Sequence, residues 1–244
     1  MNGAALASSY AFPPNSHGYC GARTFAPALG RFLGGNGTAA SLEKEIRKFP
    51  VHYAYLRLIA RENGLQPFDL EVVRAFWTGN RLLDSVDTDS LRSFLAEDLF
   101  QGRQRRRAAL LCRSMPEGLV PHHSFNPLFV NFVTDAVERS VENFDSCCVT
   151  WGEVLSVEGS RARVRRRSIG WSGKFVFRTR TGWVDLERDG IRFIRRLEKG
   201  DVVSVHWGMM IERLGERDRS ALERYTKMNM GALADSGMPG LTMA

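Results

Sequence analysis

Apolar positions recur at two different periods along the chain, and the change of period divides it. Between residues 41 and 115 they fall three and four apart, the spacing that gathers side chains on one helix face. Val51, Tyr55, Leu58 and Ile59 form one stripe, entered at Pro50 and stopped at Gly64. Val72, Val73, Phe76, Trp77 and Leu83 form a second, which Asp69 can cap; Leu91, Phe94, Leu95 and Leu99 form a third behind Asp89 or Ser90. Ser41 can cap an earlier run that holds Glu43 and Glu45 in its first turn. A last helix is expected over residues 129–141, with Asn143 to Ser146 as the hinge into the C-terminal domain.

From Cys147 onward the period becomes two. Val149, Val154, Leu155 and Val157 mark a first strand, and Ala162 and Val164 alternate with arginines in a second. Phe175 and Phe177 mark a third, Thr181-Gly182 reads as a turn, and residues 191–197 suit a strand or a short helix. Lys199-Gly200-Asp201 turns into a strand from Val202 to Trp207. About five short strands at this spacing suit a small OB-like barrel. A helix from Glu216 to Met230, with Leu222 and Tyr225 inward, is expected to fray from Gly231. Residues 1–40 carry neither period; Pro13-Pro14-Asn15 and Gly34-Gly35-Asn36-Gly37 interrupt them, so an irregular arm with Tyr10, Phe12, Tyr19, Phe25 and Phe32 as apolar handles is expected. The fold class is α+β: an arm over 1–40, a helical domain over 41–144, and a barrel domain with a terminal helix over 145–244.

Composition adds limits. With 43% apolar and 25% charged residues the chain is of ordinary globular make-up. It has no apolar run of spanning length and no secretory start, so a cytoplasmic protein without a membrane partner is expected. Cys20, Cys112, Cys147 and Cys148 show no Cys-x-x-Cys spacing, which argues for reduced thiols and against a zinc knuckle. The net charge of +7 rests largely on two arginine runs. Arg103, Arg105, Arg106 and Arg107 read as a solvated face. Arg161, Arg163, Arg165, Arg166 and Arg167 form the second run; Arg163, Arg165 and Arg167 with Phe175 and Trp183 suit single-stranded nucleic acid and supply an alternative function.

Few residues carry reactive chemistry. His122 and His123 follow Pro121, but no second histidine or acid stands at ligand spacing. They read first as turn histidines bonded to backbone. Neighbours on an extended chain point to opposite sides, so one at most faces a given site, and His122 is the one expected to approach Cys147. An enzyme using Cys147 as nucleophile is a third reading, without a base or an oxyanion site fixed by sequence.

Two stretches carry a resemblance. Cys147 lies five residues before Gly152, which Glu153-Val154 follow; Gly200-Asp201, an apolar run, His206-Trp207-Gly208, a second apolar run and an acidic helix-forming tail come later. These resemble the two signatures of the HypC/HupF family, small barrel proteins of [NiFe]-hydrogenase maturation. The family's cysteine follows its initiator methionine, whereas Cys147 is internal and Trp151 replaces the usual proline. The resemblance implies a non-catalytic accessory protein. It implies Cys147 and His206 as ligands of a transient iron carrying cyanide and carbon monoxide, with Cys148, His122, His123, Asp201 and Trp207 as further binding residues. It also implies the hydrogenase large subunit and HypD-like maturation proteins as partners. Over the whole chain, Tyr10 to Asn15, Gly18-Tyr19-Cys20-Gly21, Phe76 to Asn80 and Pro121 to Phe125 resemble a bacterial family of unknown function that joins a helical region to a HypC-like barrel.

Overall fold

Small residues turn the N-terminal stretch into a buried helix, α1 (Gly3–Ser16), in place of the expected irregular arm. Asn2 caps it, its side chain accepting from the Ala5 amide at 2.9 Å. Gly3 through Pro14 are all buried, so α1 has no polar face to give a helical period. At Gly3 an added Cβ would lie 2.0 Å from the Phe68 carbonyl oxygen, which shows how closely the helix is embraced. Pro13 and Pro14 fall in the last turns, where they shorten the hydrogen-bond ladder without preventing the helix. The computed structural model describes residues 2–100, 103–113, 115–131, 138 and 140–235.

The helical segment continues with α2 (Phe25–Leu33), α3 (Ala39–Ile46), α4 (Pro50–Asn63), α5 (Leu70–Trp77), α6 (Thr88–Phe94) and α7 (Arg103–Arg113). Pro50 opens α4 and Gly64 closes it in the left-handed conformation. Caps differ from expectation in three places. Thr38, not Ser41, caps α3, with Ser41 completing a capping box. Asp87 rather than Asp89 or Ser90 caps α6. Asp69 precedes α5, but its carboxylate accepts from the Gln66 amide instead of capping the helix. Of the expected 129–141 helix, residues 132–137 and 139 lie outside the described residues. The supposed hinge after it is α8 (Val141–Cys147), capped by Ser140.

Among the described residues seven strands come next: β1 (Thr150–Glu158), β2 (Arg161–Trp171), β3 (Phe175–Asp185), the two-residue β4 (Glu187–Arg188) and β5 (Ile191–Arg192), β6 (Val202–His206) and β7 (Met209–Arg213). Thr181-Gly182 is no turn; it lies inside β3, paired with Arg165 and Val164. Five strands run round in the order β1-β2-β3-β7-β6, and β6 returns antiparallel to β1. Between β3 and β7 the ring closes through one parallel pairing, Asp185 with Met209. The interior holds Val154, Ala162, Val164, Val184, Val203, Val205 and Met210. The C-terminal helix α9 (Glu216–Asp235) runs past Gly231, with Leu222 and Tyr225 buried; residues 236–244 lie outside the described residues. Among the described residues no helix is long and apolar enough to cross a membrane.

Helices and strands share one apolar core: Ile169, Phe175, Met209 and Ile211 belong to the same cluster as Leu6, Tyr10, Leu58 and Phe76. Tyr10 ties the layers together. Its ring stacks on Trp77 of α5, with centroids 5.0 Å apart and planes 12° from parallel. Its hydroxyl donates to Glu212 Oε1 of β7 at 2.8 Å and lies 2.9 Å from Ser204 Oγ of β6. The second carboxylate oxygen of Glu212 accepts from Arg74 Nη2 of α5 at 3.2 Å, and Arg74 Nη1 reaches Asp218 of α9 at 3.4 Å.

Tyr10→Phe keeps the ring stack and removes the hydroxyl, leaving buried Ser204 and Glu212 each short of a partner. The expected loss is about 1–3 kcal/mol, read as a lower urea midpoint with an unchanged far-ultraviolet spectrum. A variant as stable as its parent would show that this network does not secure α1.

Candidate functional site

The site lies where α8 ends and β6 turns into β7. Cys147 is the last residue of α8, and His206 is the last of β6. His206 pairs with Met209, so Trp207 and Gly208 form a two-residue hairpin loop. Both have positive φ, +48° and +72°, the pattern of a type I′ turn. Such loops favour Asn-Gly; a bulky residue in the first position is costly, and it marks a place where packing overrules backbone preference. Trp207 packs on Cys147, and both are 8% exposed. The Trp207 amide donates to the Ser146 carbonyl at 2.9 Å, and Arg188 Nη2 donates to the Trp207 carbonyl at 2.9 Å.

A loop from the far N-terminal segment covers this pair. Tyr19, 47% exposed, stacks on the Trp207 ring at 4.4 Å. His17 tilts against the same ring at 5.8 Å and accepts from Arg188 at 2.9 Å. Gly21 anchors the loop; at φ +76° it sits so close to Phe49 that a Cβ would meet the ring at 2.1 Å. Burial pushes the Cys147 thiol well above its usual range, and neighbouring Cys20 adds to the effect. The thiol is therefore protonated and a poor nucleophile as it stands.

His206 meets Cys147 through the backbone rather than the sulfur. Its Nε2 lies 3.1 Å from the Cys147 carbonyl oxygen and its Nδ1 lies 2.8 Å from the Tyr10 carbonyl oxygen. Both carbonyls need a donor. Tyr10 is four residues before Pro14, which has no N–H to complete the helical bond. Cys147 ends a helix, where carbonyls have no partner within the helix. A neutral imidazole has one N–H and can serve one of the two at a time. Burial lowers the His206 pKa to about 4, although both carbonyls pull it upward.

Three more histidines are buried nearby. His123 lies beside His206, with centroids 5.1 Å apart, and stacks on Trp77 at 4.3 Å. His52 packs edge-on to Trp77 at 5.0 Å and stacks on Phe76 at 5.2 Å. His122 points the other way, toward Tyr225 of α9, and its Nδ1 pairs with the Ser124 hydroxyl at 2.8 Å. It is thus His123 and not His122 that approaches the Cys147–His206 region. Among the described residues both nitrogens of His52 and Nδ1 of His123 have no hydrogen-bond partner. Burial lowers the pKa of His52 and of His122 to about 3, and that of His123 well below its usual value.

The other expected residues fall elsewhere. Cys148 is fully buried, and its amide continues the end of α8 by donating to Phe144. Asp201 stands at the opposite end of β6 from His206, where its carboxylate accepts from the Glu198 amide at 2.9 Å in a turn. Among the described residues no group of three or more His, Cys, Asp or Glu side chains is arranged to hold a metal ion. Both imidazole nitrogens of His206 face backbone carbonyl oxygens, and the Cys147 thiol is buried. Sequence reasoning missed His17 and Arg188, and it offered Tyr10 and Tyr19 only as apolar handles. The Gly18-Tyr19-Cys20-Gly21 stretch and the His-Trp-Gly turn were the signals that could have pointed to the rim.

A family model described as Family of unknown function (DUF6390) matches residues 1–237. No curated protein and no solved structure matches the chain.

The buried histidines carry a pH dependence. In the unfolded chain they titrate near 6.5, while in the folded protein His52 and His122 titrate at about 3 and His206 at about 4. Between those values the unfolded state binds the extra protons. The stabilisation from keeping these rings neutral is complete above about pH 6.5 and declines as the pH falls toward 4. His52→Phe should flatten the fall in unfolding free energy by about 1.4 kcal/mol per pH unit, measured by urea titrations at several pH values. An identical slope in parent and variant would show that His52 is not held neutral.

Proposed function

We propose that this chain, which belongs to the family of unknown function DUF6390, is a non-catalytic, HypC-like accessory protein of [NiFe]-hydrogenase maturation in the cytoplasm. The observation that carries the reading is the rim itself. The two residues that the HypC/HupF resemblance singles out, Cys147 and His206, lie next to one another at the end of the curled sheet, beside a Trp207 held in an unfavourable backbone conformation.

Trp207 supports a docking role. Its ring presses on the Cys147 thiol, and its indole N–H is the side-chain donor that Cys147 has nearby. Aromatic anchors of this kind carry much of the energy of protein–protein contacts. The cover over it is an exposed loop, residues 17–21, that touches Trp207 through two rings. On this reading the immature large subunit or a HypD-like maturation protein displaces Tyr19, takes its place against Trp207 and gains access to the Cys147 sulfur. Iron with its cyanide and carbon monoxide ligands is cargo that passes between proteins, and His206 acts as the post that fixes the Cys147 backbone.

Two measurements test this. Tyr19→Ala should raise the rate of Cys147 alkylation by an iodoacetamide probe several-fold, with Cys148 as the buried internal control. Cys147→Ala should keep its fold and lose the capture of a hydrogenase large subunit in anaerobic co-purification. Capture that survives Cys147→Ala, or a parent protein that never retains the subunit, would remove the proposal.

A further inference from the structure

The β2–β3 hairpin carries a second surface, which meets the Cys147 rim only at its Asp185 end through Arg188. Arg161, Arg163, Arg165 and Arg167 occupy alternate positions of β2 and are exposed, while Ala162 and Val164 between them are buried. Alternate residues of a strand stand about 6.7 Å apart on one face, so the four guanidiniums form a regular row. Directly across the ladder lie Trp183 opposite Arg163, Thr181 opposite Arg165 and Thr179 opposite Arg167. Paired residues share a face, so the row of charges runs beside a row made of one indole and two hydroxyls.

The charge is available. Arg165 is spent on Glu153 at 2.6 Å, and Asp185 on this face is engaged by Arg188 at 2.8 Å. Among the described residues Arg161 and Arg163 are in no ion pair, although Glu158 stands opposite Arg161 in the register; Arg167 donates to the Thr179 hydroxyl at 3.2 Å and acts electrostatically on Glu223. Arg178 and Arg180, exposed on the other side of the same hairpin, add to the field. Trp183 is 48% exposed, and the Arg161 guanidinium lies 5.8 Å from its ring centroid. The exposed ring and the guanidinium over it form a surface cation–π pair that faces water.

We infer that the outer face of the β2–β3 hairpin binds single-stranded nucleic acid, with Trp183 as the stacking platform for a base and Arg161, Arg163 and Arg167 as contacts to successive phosphates. An acidic peptide would use the arginines and leave the indole without a partner. A single strand uses both, because every base offers a flat face and every linkage a charge. A duplex hides its bases and would meet only the cations.

The test is fluorescence anisotropy of a labelled oligothymidylate titrated with the full chain, repeated over a series of salt concentrations from about 50 mM. With three phosphate contacts the logarithm of affinity should fall against the logarithm of salt with a slope of about −2. Trp183→Ala should weaken binding about tenfold or more. The pair Arg163→Ala and Arg167→Ala should flatten the slope by about 1.4. All three residues are exposed, so circular dichroism should show an unchanged fold. Cys147→Ala should bind the oligonucleotide like the parent, which separates this surface from the docking role of the rim. Absence of binding at the lowest salt would overturn the inference. So would equal affinity in the Trp183 variant, or preference for polyglutamate or duplex over the single strand.

Discussion

A single carbonyl without a helical partner organises this molecule. Pro14 cannot donate to Tyr10, so the Tyr10 carbonyl needs a donor from outside α1, and His206 Nδ1 at the end of β6 lies 2.8 Å from it. The same tyrosine uses its ring on Trp77 and its hydroxyl on Glu212 and Ser204, so its three parts together reach α5, β6 and β7. A buried helix with small residues on every side could otherwise slide along its neighbours. Polar contacts are directional where apolar contacts are not, and these fix both the depth and the rotation of α1 against the sheet.

That arrangement changes what His206 is for. In isolation a histidine beside a cysteine suggests a ligand pair. Here the imidazole is turned to two backbone oxygens, one of which belongs to Cys147, so the ring bears on where the Cys147 backbone sits. The buried histidines around Trp77 work in the same way, as flat neutral rings that fill space between aromatic neighbours. Such rings carry polar atoms into a region with few partners, a cost that close packing offsets only while they stay uncharged.

The sequence was legible where one face of an element met water. The stripe from Val51 to Ile59 and the alternation from Arg161 to Arg167 each contrast a buried side with an exposed one, and a period arises from that contrast. α1 has no such contrast, because both of its sides are inside, and its prolines read as breakers although they fall where the helix is about to end. Gly182 misled for a related reason: it pairs with Val164 in mid-strand, where a glycine usually signals a turn. For the site, the closeness of Cys147 and His206 was suggested by likeness to a family and not by spacing. The stacking of Tyr19 on Trp207 joins positions at opposite ends of the chain and leaves no local trace.

The remoteness of the partners of Tyr10 bears on biosynthesis. Its hydroxyl binds groups 194 and 202 residues further along. A ribosome therefore makes α1 long before β6 and β7 exist, and the polar tie of Tyr10 to the sheet must wait while most of the chain is added. Contacts of such separation slow folding and lengthen exposure to aggregation. Yield in a recombinant host should therefore respond to translation speed and to trigger-factor-type helpers more than to any change at the surface of the finished fold.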